Sequence, residues 1–416
     1  MGIEPMKPIT TMRLRLIKRK TSNAQRRTSN DESSELNVEH WVLNNQTENS
    51  PVVRLIRAEI ERRGPVSFAW FMQQALYHPE HGYYSSGRCA IGRKGDYFTN
   101  VSVGPLFGQL LGAQFVEIWE RFGKINDFVI VEQGAHDGQF ACDVLEYAQD
   151  RAQEFFEALC YRIVEPFPVL QERQSRTLEP FREKVEWCDS LRSFVGIHFS
   201  NELLDAMPVR LINGSMEKFV DLQGDKFILV ERSLSQPASA CQPSEQTGAF
   251  NQPALDWIDD VAANLQRGYV IAIDYGRLGE EFQGSVQVRA QHRNLDSPFE
   301  QIGHADITMQ VGWSCIIERA QANGLRVAGF TDQHHFLIGI ISTWPDVLQA
   351  RLSNSTALSS RAQVADPDYR SKHALHTLLH PEMLGRAFQV LALEKKIDPG
   401  APPLAGFKFA REPRDV

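Results

Sequence analysis

The 416-residue sequence contains no apolar run long enough to cross a membrane. A transmembrane helix needs about 20 consecutive apolar residues. The N-terminus also lacks the apolar core that a secretory signal requires. We therefore expect a soluble protein that has no membrane span and is not exported.

Disulfide and metal-binding patterns are missing as well. The six cysteines are scattered and include no Cys-x-x-Cys pair. No group of histidines and cysteines has the spacing of metal ligands. These absences predict reduced thiols and no bound metal.

A clustered basic surface, which nucleic-acid binding requires, is also missing. The formal net charge is −8, and an acidic chain neutralises phosphates poorly. The only dense basic run lies within residues 1–30, in a Ser/Thr-rich context that is typical of either a transit peptide or a disordered tail. We expect no nucleic-acid partner and a cytoplasmic location, with the mitochondrial matrix as the alternative.

The sequence does contain short apolar runs that alternate with helical patterns. Helical spacing over 52–61, 68–77 and 105–122 precedes this alternation, and Ser67 is placed to cap the second of these helices. Alternation of this kind predicts a doubly wound α/β sheet whose strands are mainly parallel. The predicted strands are 128–131, 161–165, 185–187, 196–199, 269–274, 325–331 and 388–394, with a further strand pair at 209–212 and 227–231.

A glycine turn joins the first of these parallel strands to its helix, and it reads E-Q-G-A-H-D-G over residues 132–138. A turn at this place lets a ligand approach the helix N-terminus. A dinucleotide turn would need glycines where this chain has His136 and Gln139, which argues against a dehydrogenase. The looser E-x-G-x-x-x-G pattern is that of class I methyltransferases, so Glu132, Gly134 and Gly138 are candidate contacts for S-adenosylmethionine.

Polar residues also follow the next three strands. Glu165 is placed to accept hydrogen bonds from a ribose diol, and Asp189 could accept one from an adenine amino group or cap a helix. Asn201, Glu202 and Asp205 follow the fourth strand at the carboxyl edge, where ligands bind in open α/β sheets. Asn201 is therefore a further candidate for cofactor contact.

Several sequence blocks in the same order resemble the MidA-like methyltransferase family. The resemblance spans roughly residues 58–395. It is carried by HPEHGYY (78–84), IGRKGDYFT (91–99), LFGQLLG (106–112), the E-x-G turn, NELLDAMPV (201–209), IDYG (273–276), GHADIT (303–308) and HPEMLGRAFQVLAL (380–393). Mitochondrial members of that family assist assembly of respiratory complex I and methylate an arginine of one of its subunits.

The resemblance implies an S-adenosylmethionine-dependent methyltransferase that modifies arginine in a protein such as a respiratory-complex subunit. Carboxylates would hold the planar guanidinium, which makes Glu202 and Asp96 catalytic candidates together with Asn201. The substrate-binding candidates are Tyr84, Asp96 and Asp205. Two alternatives stay open, a small-molecule methyltransferase and a non-catalytic assembly factor with a degenerate cofactor site, and the chain could form a homodimer.

The fold that this resemblance implies is a Rossmann-like class I methyltransferase sheet with an N-terminal helical and lid segment and helical insertions. Its segments would be a disordered basic and polar tail at 1–50, the helical and lid segment at 51–125, the methyltransferase core at 126–334 with a strand-pair insertion near 208–254, a helical insertion at 335–387, and the last core strand and tail at 388–416.

Overall fold

The computed structural model describes residues 50–87, 99–234, 248–279, 286–291, 293–348 and 367–410. The predicted tail at 1–50, apart from Ser50, and the candidate Asp96 lie outside these ranges. The helices are α1 (Pro51–Arg63), α2 (Phe68–Tyr77), α3 (Leu106–Arg121), α4 (Gln139–Arg151), α5 (Gln153–Ala158), α6 (Pro168–Thr177), α7 (Gln252–Asn264), α8 (Trp313–Ala322), α9 (Gln333–Thr343) and α10 (Pro367–Leu379).

The strands form one large sheet and two small antiparallel sheets. In chain order they are β1 (Val66–Ser67), β2 (Phe128–Gln133), β3 (Leu159–Val164), β4 (Val185–Cys188), β5 (Phe194–Asn201), β6 (Arg210–Asn213), β7 (Met216–Gln223), β8 (Lys226–Ser233), β9 (Gly248–Phe250), β10 (Leu265–Arg277), β11 (Gln287–Ala290), β12 (Arg293–Leu295), β13 (Asp306–Thr308), β14 (Val311–Gly312), β15 (Arg326–Asp332) and β16 (Phe388–Lys395).

The large sheet confirms the predicted doubly wound architecture. Its strand order is β15-β16-β10-β5-β2-β3-β4, and the five strands from β10 to β4 are parallel. Strand β16 runs antiparallel to both of its neighbours. The chain leaves β2 toward β3 and β4 and then returns to β5 on the other side of β2, so the topological switch point lies between the ends of β2 and β5, where α/β proteins bind ligands.

Helices cover both faces of this sheet because its strands carry apolar side chains on both faces. On one face α3 and α4 pack against the sheet, with the Phe140 ring stacked on Phe199 at a centroid distance of 4.3 Å. On the other face α7 and α8 pack through the fully buried Trp257 and Trp313. This packing fixes the carboxyl ends of β2, β3 and β5 relative to one another.

The prediction that the strands at 209–212 and 227–231 pair with each other was wrong. Strands β6 and β8 exist at the expected places, but β7 lies between them and pairs with each. Strands β1 and β9 complete this five-stranded sheet. The reason is that β7 reads M-E-K-F-V-D-L-Q and buries only Glu217 and Val220, so its apolar signal is weak.

The segment that precedes the sheet forms the predicted helices. Ser67 caps α2 by accepting a hydrogen bond from the Trp70 N–H at 3.2 Å, and α1, α2 and the small sheets share a separate apolar cluster. Across the described part of the chain, no helix is both long and apolar enough to cross a membrane. The division of the chain into the five segments given above stays a prediction.

Candidate functional site

The glycine turn between β2 and α4 adopts a left-handed backbone at three positions. The φ angles are 103° at Gly134, 40° at His136 and 83° at Gly138. A Cβ atom on Gly138 would lie 3.1 Å from Cδ1 of Leu178, so glycine is favoured there by both backbone angle and space. The same kind of backbone conformation costs His136 about 1–2 kcal/mol, which indicates that the surrounding residues hold the turn in this shape.

Glu165 lies directly after β3 and is only 2% exposed. Its Oε1 accepts the Phe167 N–H at 3.2 Å, and its Oε2 accepts Nε2 of Gln174 at 3.0 Å. The carboxylate lines a cleft together with Gly134 and Tyr84. The structure therefore brings three of the predicted site residues together around one cleft, which is also lined by Tyr77, Gln133, Val164, Pro166, Phe167, Leu170 and Leu203.

Two other predicted cofactor contacts, Glu132 and Asp189, lie outside the lining of this cleft. Glu132 is buried and accepts the Tyr161 hydroxyl at 2.9 Å, a bond between neighbouring strands. Asp189 is exposed just after β4, and its Oδ1 lies 3.5 Å from Nε2 of Gln171, which also donates to the Glu165 carbonyl at 2.6 Å. Glu132 therefore links two strands, whereas Asp189 lies at the edge near Glu165.

The end of β5 carries a buried polar cluster. Nδ2 of Asn201 donates to Oε1 of Glu202 at 2.8 Å. Asn100 contacts both residues, because its Nδ2 donates to Oδ1 of Asn201 at 3.0 Å and its backbone N–H to Oε1 of Glu202 at 3.3 Å. Glu202 also has a left-handed φ of 54°, an uncommon conformation that concentrates at functional sites.

Asp274 holds the turn that follows Glu202, and we did not predict it as a site residue. Its Oδ2 accepts three successive backbone N–H groups, from Leu203 at 3.0 Å, Leu204 at 2.7 Å and Asp205 at 3.3 Å. Burial raises the pKa of Asp274, and the neighbouring Glu202 carboxylate raises it further. The available signal was a lone aspartate at the end of the apolar run predicted at 269–274, within the IDYG block.

A third group of polar side chains connects the N-terminal segment to β13. The Tyr84 hydroxyl donates to Oδ1 of Asp306, and its ring stacks on Tyr77 at 5.7 Å. Arg289 lies opposite Asp306 in the β11–β13 pair, and burial lowers the pKa of Arg289 to about 10, although the Asp306 carboxylate opposes this effect. Asp205 joins this group through its carbonyl, which accepts the Met309 N–H at 2.5 Å.

Thus Glu202 and Asp205 after β5, Asp274 near the end of β10 and Asp306 at the start of β13 are all buried, each 1% exposed. Asp306 belongs to the GHADIT block, but its contact with Tyr84 could not be predicted from that block because the two residues lie more than 200 positions apart in the sequence. Among the residues that the structure describes, no cluster of three or more histidine, cysteine or acidic side chains could hold a metal ion.

A glycine turn and an acidic residue at the switch point of the parallel strands β4-β3-β2-β5-β10 define a nucleoside-binding α/β protein. The model of a family of S-adenosyl-L-methionine-dependent methyltransferases matches residues 110–331, and the chain belongs to this family. It is therefore an S-adenosylmethionine-dependent methyltransferase, and this confirms the resemblance noted in the sequence.

Two curated relatives cover most of the chain. The human protein arginine methyltransferase NDUFAF7, mitochondrial, is 27% identical over 386 residues, which are 83% of each chain. The Drosophila melanogaster homolog of the same name is 24% identical and covers 82% of this chain and 84% of its own.

A solved structure shares most of the fold. The crystal structure of a protein from Burkholderia thailandensis bound to S-adenosyl-homocysteine is 26% identical to this chain, with a TM-score of 0.76. The similarity covers 89% of this chain and 97% of that one. The comparison supports S-adenosylmethionine as the cofactor, because S-adenosyl-homocysteine is the product that methyl transfer leaves.

Proposed function

We propose that the cofactor binds across the glycine turn and is held by Glu165. The support is local: Gly138 has no Cβ to narrow the turn, and the Glu165 carboxylate lines the same cleft as Gly134. A carboxylate in this position accepts hydrogen bonds from the two hydroxyls of a ribose. Asp189 would contact the adenine edge, and Asn201 would face the methionine end.

We further propose that the methyl acceptor is an arginine side chain of a protein. The observation that carries this proposal is the burial of four carboxylates, those of Glu202, Asp205, Asp274 and Asp306. Guanidinium groups form paired, charge-assisted hydrogen bonds with carboxylates. The relatives named as protein arginine methyltransferases support the same acceptor.

Within this group we assign the acceptor contacts to Glu202 and Asp205. Both residues follow β5 at the carboxyl edge next to the switch point. Asp274 instead accepts four backbone N–H groups, and Asp306 accepts the Tyr84 hydroxyl and faces Arg289. When bound, S-adenosylmethionine supplies the methyl group, and the protein's part is to align the acceptor nitrogen with it. Glu202 and Asp205 would hold the guanidinium in the plane that exposes one nitrogen, with Asn201 orienting Glu202.

The test is a transfer assay with the full-length protein, methyl-labelled S-adenosylmethionine and an extract that contains candidate acceptor proteins. We expect label in a protein band that yields methylarginine after hydrolysis. The Glu202→Gln variant should transfer at least about 100-fold more slowly while it binds S-adenosyl-homocysteine within about threefold of wild type. Asp225→Asn, an exposed acidic residue in the β7–β8 turn, is the matched control and should leave transfer unchanged.

Label confined to small molecules would contradict the protein acceptor and indicate a small-molecule methyltransferase. Protein label that yields methylated residues other than arginine would contradict the assignment of the acidic group. Cofactor binding without transfer to any fraction would indicate the non-catalytic assembly factor.

We also propose that the protein acts in mitochondria. The relatives are named as mitochondrial proteins, so they do not support the cytoplasm as the predicted location. The basic, Ser/Thr-rich composition of residues 1–30 agrees with a targeting segment. A fluorescent protein fused behind residues 1–50 should enter mitochondria, and a diffuse cytoplasmic signal would contradict this proposal.

A further inference from the structure

Gln174, on α6, is fully buried beneath the candidate cofactor cleft. Its Nε2 donates to Oε2 of Glu165 at 3.0 Å and to the backbone carbonyl of His136 at 3.0 Å. Its Oε1 accepts the indole N–H of Trp187 at 3.0 Å. One amide therefore contacts the glycine turn, the acidic residue after β3 and the end of β4.

The indole fixes which way this amide faces. An indole N–H can only donate a hydrogen bond, so the oxygen of Gln174 must face Trp187. The amide nitrogen must then face the two acceptors, the Glu165 carboxylate and the His136 carbonyl. The orientation thus follows from the partners rather than from the similar shapes of the amide N and O atoms.

The contact with His136 bears directly on the unusual turn. His136 has a φ of 40°, a backbone conformation that is costly for residues other than glycine. The amide of Gln174 holds the carbonyl of that residue in place. Leu178, the residue after the C-terminus of α6, packs below Gly138, so Gln174 and Leu178 together support both sides of the turn.

We infer that Gln174 is a positioning residue for the cofactor: it holds the Glu165 carboxylate and the glycine turn in one fixed arrangement. This inference rests on the proposed role of Glu165 at the ribose. Gln174 itself need not touch the cofactor, because it acts through the two groups to which it donates. Its side chain supplies what this position requires, two donor hydrogens and one acceptor in a single planar group.

The test measures binding of S-adenosyl-homocysteine to the full-length protein by calorimetry. Gln174→Met keeps the side-chain length and removes the three hydrogen bonds, and it should weaken binding about tenfold. The control is Gln333→Met, which removes a hydrogen bond between an equally buried glutamine on α9 and the Leu378 carbonyl and should weaken binding less than threefold. Thermal unfolding midpoints show whether each variant is folded.

A double-mutant cycle separates positioning from general damage. Glu165→Gln alone should weaken binding at least tenfold. If Gln174 acts through Glu165, adding Gln174→Met to that variant should weaken binding no more than about threefold further, because neighbouring residues that share one function are not additive. Full additivity of the two losses would overturn the inference.

A second variant covers the case in which Gln174→Met does not fold. Gln174→Glu keeps an oxygen that accepts the Trp187 N–H, but it loses the amide N–H groups that donate to Glu165 and His136. Two adjacent carboxyl groups share a proton at low pH, which restores a donor at this position. Relative to wild type, this variant should bind S-adenosyl-homocysteine weakly at pH 8 and recover at least threefold at pH 5.5, whereas a constant ratio would overturn the inference.

The two proposals fail in different ways. If Glu165→Gln weakens binding and folded Gln174→Met binds within twofold of wild type, the positioning role is wrong and the ribose role stands. If Glu165→Gln binds as wild type does, the proposed ribose role is wrong, and the positioning inference falls with it.

Discussion

Replacing Gly138 with alanine tests the glycine turn most sharply. Gly138 has a φ of 83°, and the left-handed backbone costs a residue with a Cβ about 1–2 kcal/mol. The new methyl would lie 3.1 Å from Cδ1 of Leu178 and 3.4 Å from Cα of Gln174. The leucine side chain can move by a few tenths of an ångström, so the backbone conformation accounts for most of the expected cost.

That cost can appear either as lower stability of the folded protein or as weaker cofactor binding, and both can be measured. If the turn keeps its shape, the free energy of unfolding falls by about 1–2 kcal/mol. If the turn relaxes instead, the cofactor must restore the strained shape, and its affinity falls by about 5- to 30-fold. We expect urea unfolding and calorimetry with S-adenosyl-homocysteine to show losses that together amount to about 1–2 kcal/mol.

Gly324→Ala is the matched control. Gly324 follows α8 with a φ of 78°, and a Cβ there would meet nothing within 4 Å. This variant should lose about 1 kcal/mol of stability and no affinity for the cofactor. The reasoning is refuted if Gly138→Ala changes neither quantity, or if Gly324→Ala weakens cofactor binding as much.

Three further predictions concern the scaffold. Burial lowers the pKa of His198 to about 3, so below pH 6.5 this histidine binds a proton in the unfolded chain but not in the folded chain. His198→Gln should therefore remove up to about 3 kcal/mol of the stability that wild type loses between pH 6.5 and 4 in urea unfolding. Equal pH dependence of stability in the variant and wild type would contradict this. Burial raises the pKa of the Cys142 thiol to about 12, so iodoacetamide at pH 8 should modify it only after unfolding, as peptide mass mapping would show. Arg319 pairs with Asp259 through two hydrogen bonds of 2.7 and 2.6 Å. Because both side chains are partly exposed, Arg319→Lys should lower the free energy of unfolding by only about 0.5 kcal/mol, measured by thermal unfolding. A loss above 2 kcal/mol would contradict that reasoning.

The central sheet was predictable because its inner parallel strands β2, β5 and β10 bury most of their residues on both faces and contain continuous apolar runs. The small sheets were harder, since strands such as β7 bury few side chains and carry charged residues along most of their length. The strands differ most in how many of their residues are buried: β10 buries most of its residues, whereas the polar β7 buries two.

The family resemblance predicted Tyr84, but strand positions predicted a site residue only where it follows a strand at the carboxyl edge. Glu165 and Glu202 met that condition, and the structure places both in buried surroundings. Asn100 and Gln174 did not, because their importance depends on contacts with segments far away in the chain, such as the 101 positions between Asn100 and Asn201. No local pattern encodes such a contact.

The most direct test of the central claim is a crystal structure of the full-length protein with S-adenosyl-homocysteine. We predict that the ribose hydroxyls lie about 2.5–3.0 Å from the Glu165 carboxylate oxygens, with the amino-acid end above the turn at Gly134. A nucleoside bound elsewhere, with the Glu165 carboxylate still bonded only to protein groups, would contradict the account.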